Sequence, residues 1–168
     1  AQAPRVLEVE LANKSLFGMP VHWGRSGAAL LETDGQFHLI DLNDVRRTEL
    51  LDEDFHPQSL AVARNKLQAE LGRQYETLIS GPYVIATPLG ESRRWKSRFN
   101  ALLAGYIRYF DVRGWPLRRP DFPLVVIVFR NRTEFLDYCS RESAQLLPQA
   151  VGGYFPRTNR CVLYQIPG

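Results

Sequence analysis

The sequence is poor in the residues that most often carry chemistry. Among 168 residues there are two cysteines, Cys139 and Cys161, too few for a disulfide framework. One falls in a segment patterned as helix and the other in one patterned as strand. Only tertiary packing brings them together, and buried free thiols are the expected state. Three histidines occur, His22, His38 and His56, well separated along the chain. With no HExxH segment and no Cys-x-x-Cys pair, no zinc site and no other cofactor site is expected here. A G-x-S-x-G elbow and a phosphate-binding loop are missing as well. Gly152-Gly153 is too short to cradle phosphate and reads as a turn before a strand, and Cys139 has no histidine near it in sequence to make it a nucleophile. The longest apolar run falls far below the roughly 20 residues that cross a bilayer, so no membrane span is expected. No catalytic motif is complete anywhere in the chain.

What is present is core material and a local excess of positive charge. Apolar residues make up 45%, with nine Phe, seven Tyr and three Trp. The length fits one domain, or one domain with a small appendage. Net charge is +3 and the pI about 9.0. Between Glu91 and Arg119 stand Arg93, Arg94, Lys96, Arg98, Arg108, Arg113, Arg118 and Arg119, against only Glu91 and Asp111. A solvated helix face plus a loop accounts for this cluster. A patch for nucleic acid or anionic lipid, with Arg93, Arg94 and Arg98 as candidates, is the sharper reading, and nucleic acid is not the expected partner.

Residues 5–11 alternate Val6, Leu7, Val9 and Leu11 with Glu8 and Glu10, the period of a half-buried strand. Strand-like pieces follow at 19–23, 28–32, 37–42 and 45–50. Asp34-Gly35 between two of them predicts a two-residue hairpin turn with both positions at positive φ. Five short strands without a helix pattern predict a small SH3-like β module, or a strongly curled meander, over residues 1–53, either an interaction module or a packing appendage. An α+β domain with a mixed sheet and two or three helices is expected over 54–168. His56-Pro57 is expected to open its first helix, with Leu60, Ala63, Leu67 and Leu71 as the apolar stripe and Gly72 as the C-cap. Residues 75–79 and 83–87 read as a hairpin turning at Ser80-Gly81-Pro82. A long amphipathic helix follows, carrying Trp95, Phe99, Leu102, Leu103, Tyr106, Ile107 and Phe110 at helical spacing, a stripe expected to be core rather than a ligand surface.

The chain is organised around the run Leu124-Val125-Val126-Ile127-Val128-Phe129, apolar without alternation and therefore a strand buried on both faces. Thr133 is expected to cap the next helix, marked by Phe135, Leu136, Cys139 and Leu146 and closed by Pro148. The glycine pair, Tyr154-Phe155, the polar turn Thr158-Asn159-Arg160 and the run Cys161-Val162-Leu163-Tyr164 predict a strand-turn-strand unit at one margin of the sheet.

From Gly81 to Tyr164 these segments resemble a planctomycete-rich family of unknown function related to the peptidase-MA-like gluzincin zinc metallopeptidases. The resemblance is carried by Tyr83-Val84-Ile85-Ala86-Thr87, by Trp95 and Arg98-Phe99, by Tyr109-Phe110 and Val112-Arg113-Gly114, by Pro120-Asp121-Phe122-Pro123-Leu124, by Val128-Phe129 with Glu134-Phe135, and by Gly153-Tyr154-Phe155 with the segment from Thr158 to Tyr164. In such proteins the matched segment precedes a helix bearing HExxH, and no position here corresponds to the zinc ligands or the general base. The resemblance therefore implies a non-catalytic N-terminal portion of a secreted metallopeptidase-like protein, with zinc only in a longer protein. Its sheet would border a peptide-binding cleft, with Gly153, Tyr154, Asn159, Arg160, Leu163 and Tyr164 as candidate cleft margin. Partners would be a peptide, another protein, or a second copy of the chain joined through a sheet edge. Ala1-Gln2-Ala3 resembles the end of a secretory signal, which points to a secreted or periplasmic protein, and a cloning boundary accounts for it equally well. The alternative is a stand-alone binding or scaffold module acting through the β module or the basic helix.

Overall fold

A computed structural model describes residues 4–142 and 149–166; the expected helix position Leu146 and the closing Pro148 lie outside them. The protein is α+β, with two five-stranded sheets and three helices among the described residues. Its contacts divide it into two compact units, Ala1–Gln58 with Pro156–Asn159, and Ser59–Phe155 with Arg160–Gly168.

The first unit is an antiparallel sheet of β1 (Arg5–Leu11), β2 (Ser15–Gly24), β3 (Gly27–Leu31), β4 (Phe37–Ile40) and β5 (Val45–Asp54), in the order β4-β3-β2-β1-β5. Val9, Leu16, Leu30 and Ile40 fill its core. Gly18 is required where β2 meets β3, because a Cβ there would collide with the Leu31 carbonyl. Asp34-Gly35 does turn the chain, but not as a two-residue hairpin. Gly35 N–H donates to the Glu32 carbonyl and Gln36 N–H to the Asp34 carboxylate. Of the two only Gly35 takes a positive φ, because β3 ends at Leu31 and β4 begins at Phe37, a connection longer than the two-residue turn that demands positive φ at both positions.

In the second unit, α1 (Leu60–Leu71) is capped by Ser59, not opened by Pro57, and ends at Gly72 with φ 71°. The sheet consists of β6 (Tyr75–Ser80), β7 (Tyr83–Pro88), β8 (Leu124–Phe129), β9 (Gly152–Phe155) and β10 (Arg160–Tyr164), in the order β6-β7-β8-β10-β9. β8 pairs in parallel with both β7 and β10, across connections that contain α2 (Ser92–Asp111) and α3 (Arg132–Arg141). The cap of α3 is Asn131, whose side chain accepts from Glu134 N–H, two residues before the expected Thr133.

β8 is buried on both faces, as its unbroken apolar run requires. Val125, Ile127 and Phe129 point toward α1 and α3, where Leu67 and Phe135 are enclosed. Val126 and Val128 point toward α2 with Ile85 and Trp95.

The strand-turn-strand unit forms, with Asn159 at φ 50° closing its turn, a left-handed conformation asparagine tolerates. The unit lies at one margin of the sheet, as expected, with β9 as the edge strand. β10 is not marginal, because β9 folds back along its outer side and leaves β10 paired on both sides. Gly152 and Gly153 belong to β9 itself rather than to a turn. A Cβ on Gly152 would sit 2.8 Å from the Val162 carbonyl, so the close approach of the two strands selects glycine.

Candidate binding groove

Three polar contacts fix the long helix α2 on one face of this sheet. The Glu76 carboxylate accepts from Gly90 and Ser92 N–H at 3.0 Å each, placing negative charge where the helix has unpaired amides. Farther along, the Ser80 hydroxyl donates to Asn100 Oδ1 at 2.9 Å. The first turns then bury their apolar stripe. Trp95 is enclosed, stacks on Phe99 with centroids 5.8 Å apart, and carries the Arg98 guanidinium over its ring at 5.0 Å.

Leu103 still packs against the core under the helix, but most of the rest of the stripe is not core. Leu102, Tyr106 and Ile107 are 62%, 53% and 46% exposed, and Trp115 just beyond the helix is 66% exposed. Length explains the exposure of Tyr106 and Ile107. A helix of 20 residues is about 30 Å long, while a six-residue strand covers about 20 Å, so the last turns of α2 run past the strands, which reach the groove only at their ends, Tyr83 and Leu124. Leu102, Leu103, Tyr106 and Ile107 form one wall of an open groove of about 900 Å³. The remaining walls come from Leu117–Pro120, from Tyr83 and Leu124, and from Leu60 at the start of α1. Arg118 and Arg119 stand in the same lining. The 112–120 segment is held by local contacts: Phe110 packs edge-on to Tyr109 and stacks on Trp115, and Arg113 lies 3.6 Å from the Tyr109 ring centroid while donating to the Tyr109 carbonyl.

The residues expected at a cleft margin lie together on the β9–β10 unit but are divided between its turn and the two faces of the sheet. Gly153 pairs with Val162 inside the β9–β10 ladder. Asn159 donates from Nδ2 to the Asp34 carbonyl at 3.1 Å. Arg160 forms a two-pronged ion pair with Glu70 at 2.8 and 2.7 Å and donates to the Tyr138 hydroxyl at 3.2 Å. Burial works against the Arg160 charge, but the Glu70 carboxylate and the Tyr138 hydroxyl outweigh it and hold the guanidinium above its ordinary pKa. Tyr164 packs on the Phe135 ring from the α1/α3 face, and Leu163 on the opposite face joins the core under α2. Of the six, Tyr154 is the exposed one, at 57% on the edge strand.

Arg93, Arg94 and Arg98 are exposed on α2, with Arg94 3.5 Å from Glu91. Cys139 is buried as expected, while Cys161 is exposed. Strand alternation puts Cys161 on the α2 face and Cys139 belongs to the α3 layer, so the sheet separates the two thiols. Burial pushes both upward, away from the thiolate. Among the described residues no three His, Cys, Asp or Glu side chains gather as a metal site, and no helix is long and apolar enough to cross a membrane. No family model, curated protein or solved structure matches this chain.

Sequence reasoning missed the groove because hydrophobic spacing reports which side of a helix is apolar, not how far the surface beneath it extends. The available signal was the length of the stripe, which runs from Trp95 to Phe110 against strands of six residues.

Proposed function

We propose that this chain is a non-catalytic binding module whose second unit receives a polypeptide segment in the groove beside α2. The supporting observation is the exposure of Leu102, Tyr106 and Ile107 at the wall of a concave apolar site. Scattered exposed apolar side chains are ordinary, whereas a contiguous apolar groove rimmed by charge is the usual form of a protein interaction site. Selection of random peptides displayed on phage against the 168-residue chain tests this. Enriched peptides are expected to lose binding to a Leu102→Ser/Tyr106→Ser variant that keeps its melting temperature. Failure to enrich any such peptide sinks the proposal. The first unit, read as SH3-like from its β5-to-β1 return and the 3-10 turn Leu42–Asp44 before β5, would then serve as a companion module.

A second reading is the non-catalytic N-terminal portion of a secreted zinc-metallopeptidase-like protein. It draws on the resemblance over residues 81–164 and on the same exposed apolar surface, which a downstream helix would cover. The inner position of β10 weighs against a cleft margin at Leu163 and Tyr164 and removes the main structural support for that analogy. The coding sequence after codon 168 tests it: an in-frame HExxH supports this reading, and a stop codon ends it.

A further inference from the structure

We infer that the groove beside α2 is built for an acidic amphipathic helix, an assignment that rests on the binding-module reading above and adds the chemistry of the partner. Two features of the walls select the class of ligand. An extended peptide gains its affinity by adding main-chain hydrogen bonds to a sheet edge. Here one wall is the side-chain surface of a helix, whose backbone bonds are internal, and the facing wall, Leu117–Pro120, belongs to no strand and so presents no sheet edge to extend. An occupant must satisfy its own backbone, and a helix does so. The exposed wall also has the right form. Leu102 with Tyr106, and Leu103 with Ile107, make two i, i+4 ridges of the kind that seat between the ridges of a second helix.

Charge selects the sign of that helix. From residue 91 to 119 there are eight basic residues and two acidic ones, and Arg118 and Arg119 stand at the groove itself. A helix with leucine-like residues on one face and carboxylates on its flanks would meet apolar walls in the centre and guanidinium groups at the rim. A basic helix would place like charges together. An anionic bilayer offers the same pairing of apolar and acidic groups, but it is flat. The apolar side chains here line a concave site walled by Leu60, Tyr83 and Leu124 as well as α2, where a protruding helix reaches and a bilayer surface does not.

The test uses a synthetic peptide of about four helical turns, leucine at positions spaced three and four apart and glutamate on both flanks, followed by fluorescence anisotropy against the 168-residue chain. Two companions carry glutamine or lysine in place of glutamate, and phosphatidylserine vesicles form a fourth arm. The glutamate peptide is expected to bind at least about tenfold more tightly than the lysine peptide, with the difference shrinking as salt rises. Arg118→Glu/Arg119→Glu is expected to reverse the preference toward lysine, a gain of binding that loss of folding cannot imitate. Equal binding of all three peptides overturns the acidic assignment while leaving the binding module intact. Vesicle binding that depends on Tyr106, without peptide binding, overturns the helix in favour of a membrane surface. If neither these peptides nor any displayed peptide binds, the module reading falls together with the inference.

Discussion

The two faces of the second unit's sheet are made by the same strands and are covered very differently. On one face α1 and α3 lie over Val84, Ala86, Val125 and Ile127, and Leu67 and Phe135 are wholly enclosed. The polar groups of that face are also tied down, the Tyr75 hydroxyl on Glu134 Oε2 at 2.5 Å and Arg160 on Glu70 and Tyr138. On the other face α2 works alone. It seals Val126, Val128 and Ile85 beneath Trp95, then runs past the strands with Leu102 and Tyr106 in the open. Strand alternation supplies both faces with apolar side chains, but closure depends on how much helix lies over each. Two helices close a face and one leaves a remainder, which is where a partner can act.

The comparison is hardest to break at β8, where the two faces are equally dry. Val126→Asp and Ile127→Asp are both expected to unfold the second unit, since an unpaired buried carboxylate costs several kcal/mol. Circular dichroism and thermal melting read this directly, and a folded variant of either kind with an unchanged melting temperature refutes the assignment of the strand. Away from β8 the faces separate. Phe135→Ala, on the closed face, is expected to cost about 3–5 kcal/mol in urea unfolding, and the half-buried Phe99→Ala on the α2 face distinctly less. Equal losses would show that α2 seals its face as completely as α1 and α3 seal theirs.

Alkaline titration sharpens the same contrast. Burial, then the bond to Glu134, raises the Tyr75 pKa, and burial also raises Tyr138 and Tyr83. A raised folded-state pKa means that the folded chain holds its proton after the unfolded chain has lost it. The stabilisation is fully present below the unfolded value near 10 and is lost progressively as pH climbs above it. Unfolding free energy is expected to fall from about pH 10 upward, less steeply in Tyr75→Phe; an unchanged slope in that variant would remove Tyr75 from the account. The smallest effects belong to the open region. Leu102→Ser and Tyr106→Ser are each expected to stay within about 0.5 kcal/mol of the parent because these side chains lose little burial, and Arg94→Glu/Arg98→Glu within about 1 kcal/mol, because the Glu91 pair and the Trp95 contact that it loses are exposed to solvent. A larger loss at Leu102 or Tyr106 would mean that the groove is core in solution.

Local chemistry determined much of this protein. The non-alternating run 124–129 could only be a strand covered on both sides, Gly72 marked the end of α1, and alternation marked β1. These follow from periodicity and backbone sterics acting over a few residues, which a sequence displays openly. The caps were legible less well, because Ser59 and Asn131 compete with neighbouring Pro57 and Thr133 for one role and the winner depends on where the chain enters the helix. Only tertiary structure decided that β9 folds outside β10, that the sheet separates Cys139 from Cys161, and that the apolar stripe of α2 outruns its sheet. Each is a relation between segments distant in sequence, set by strand order and relative lengths, and hydrophobic spacing within one segment carries no information about the extent of its neighbour.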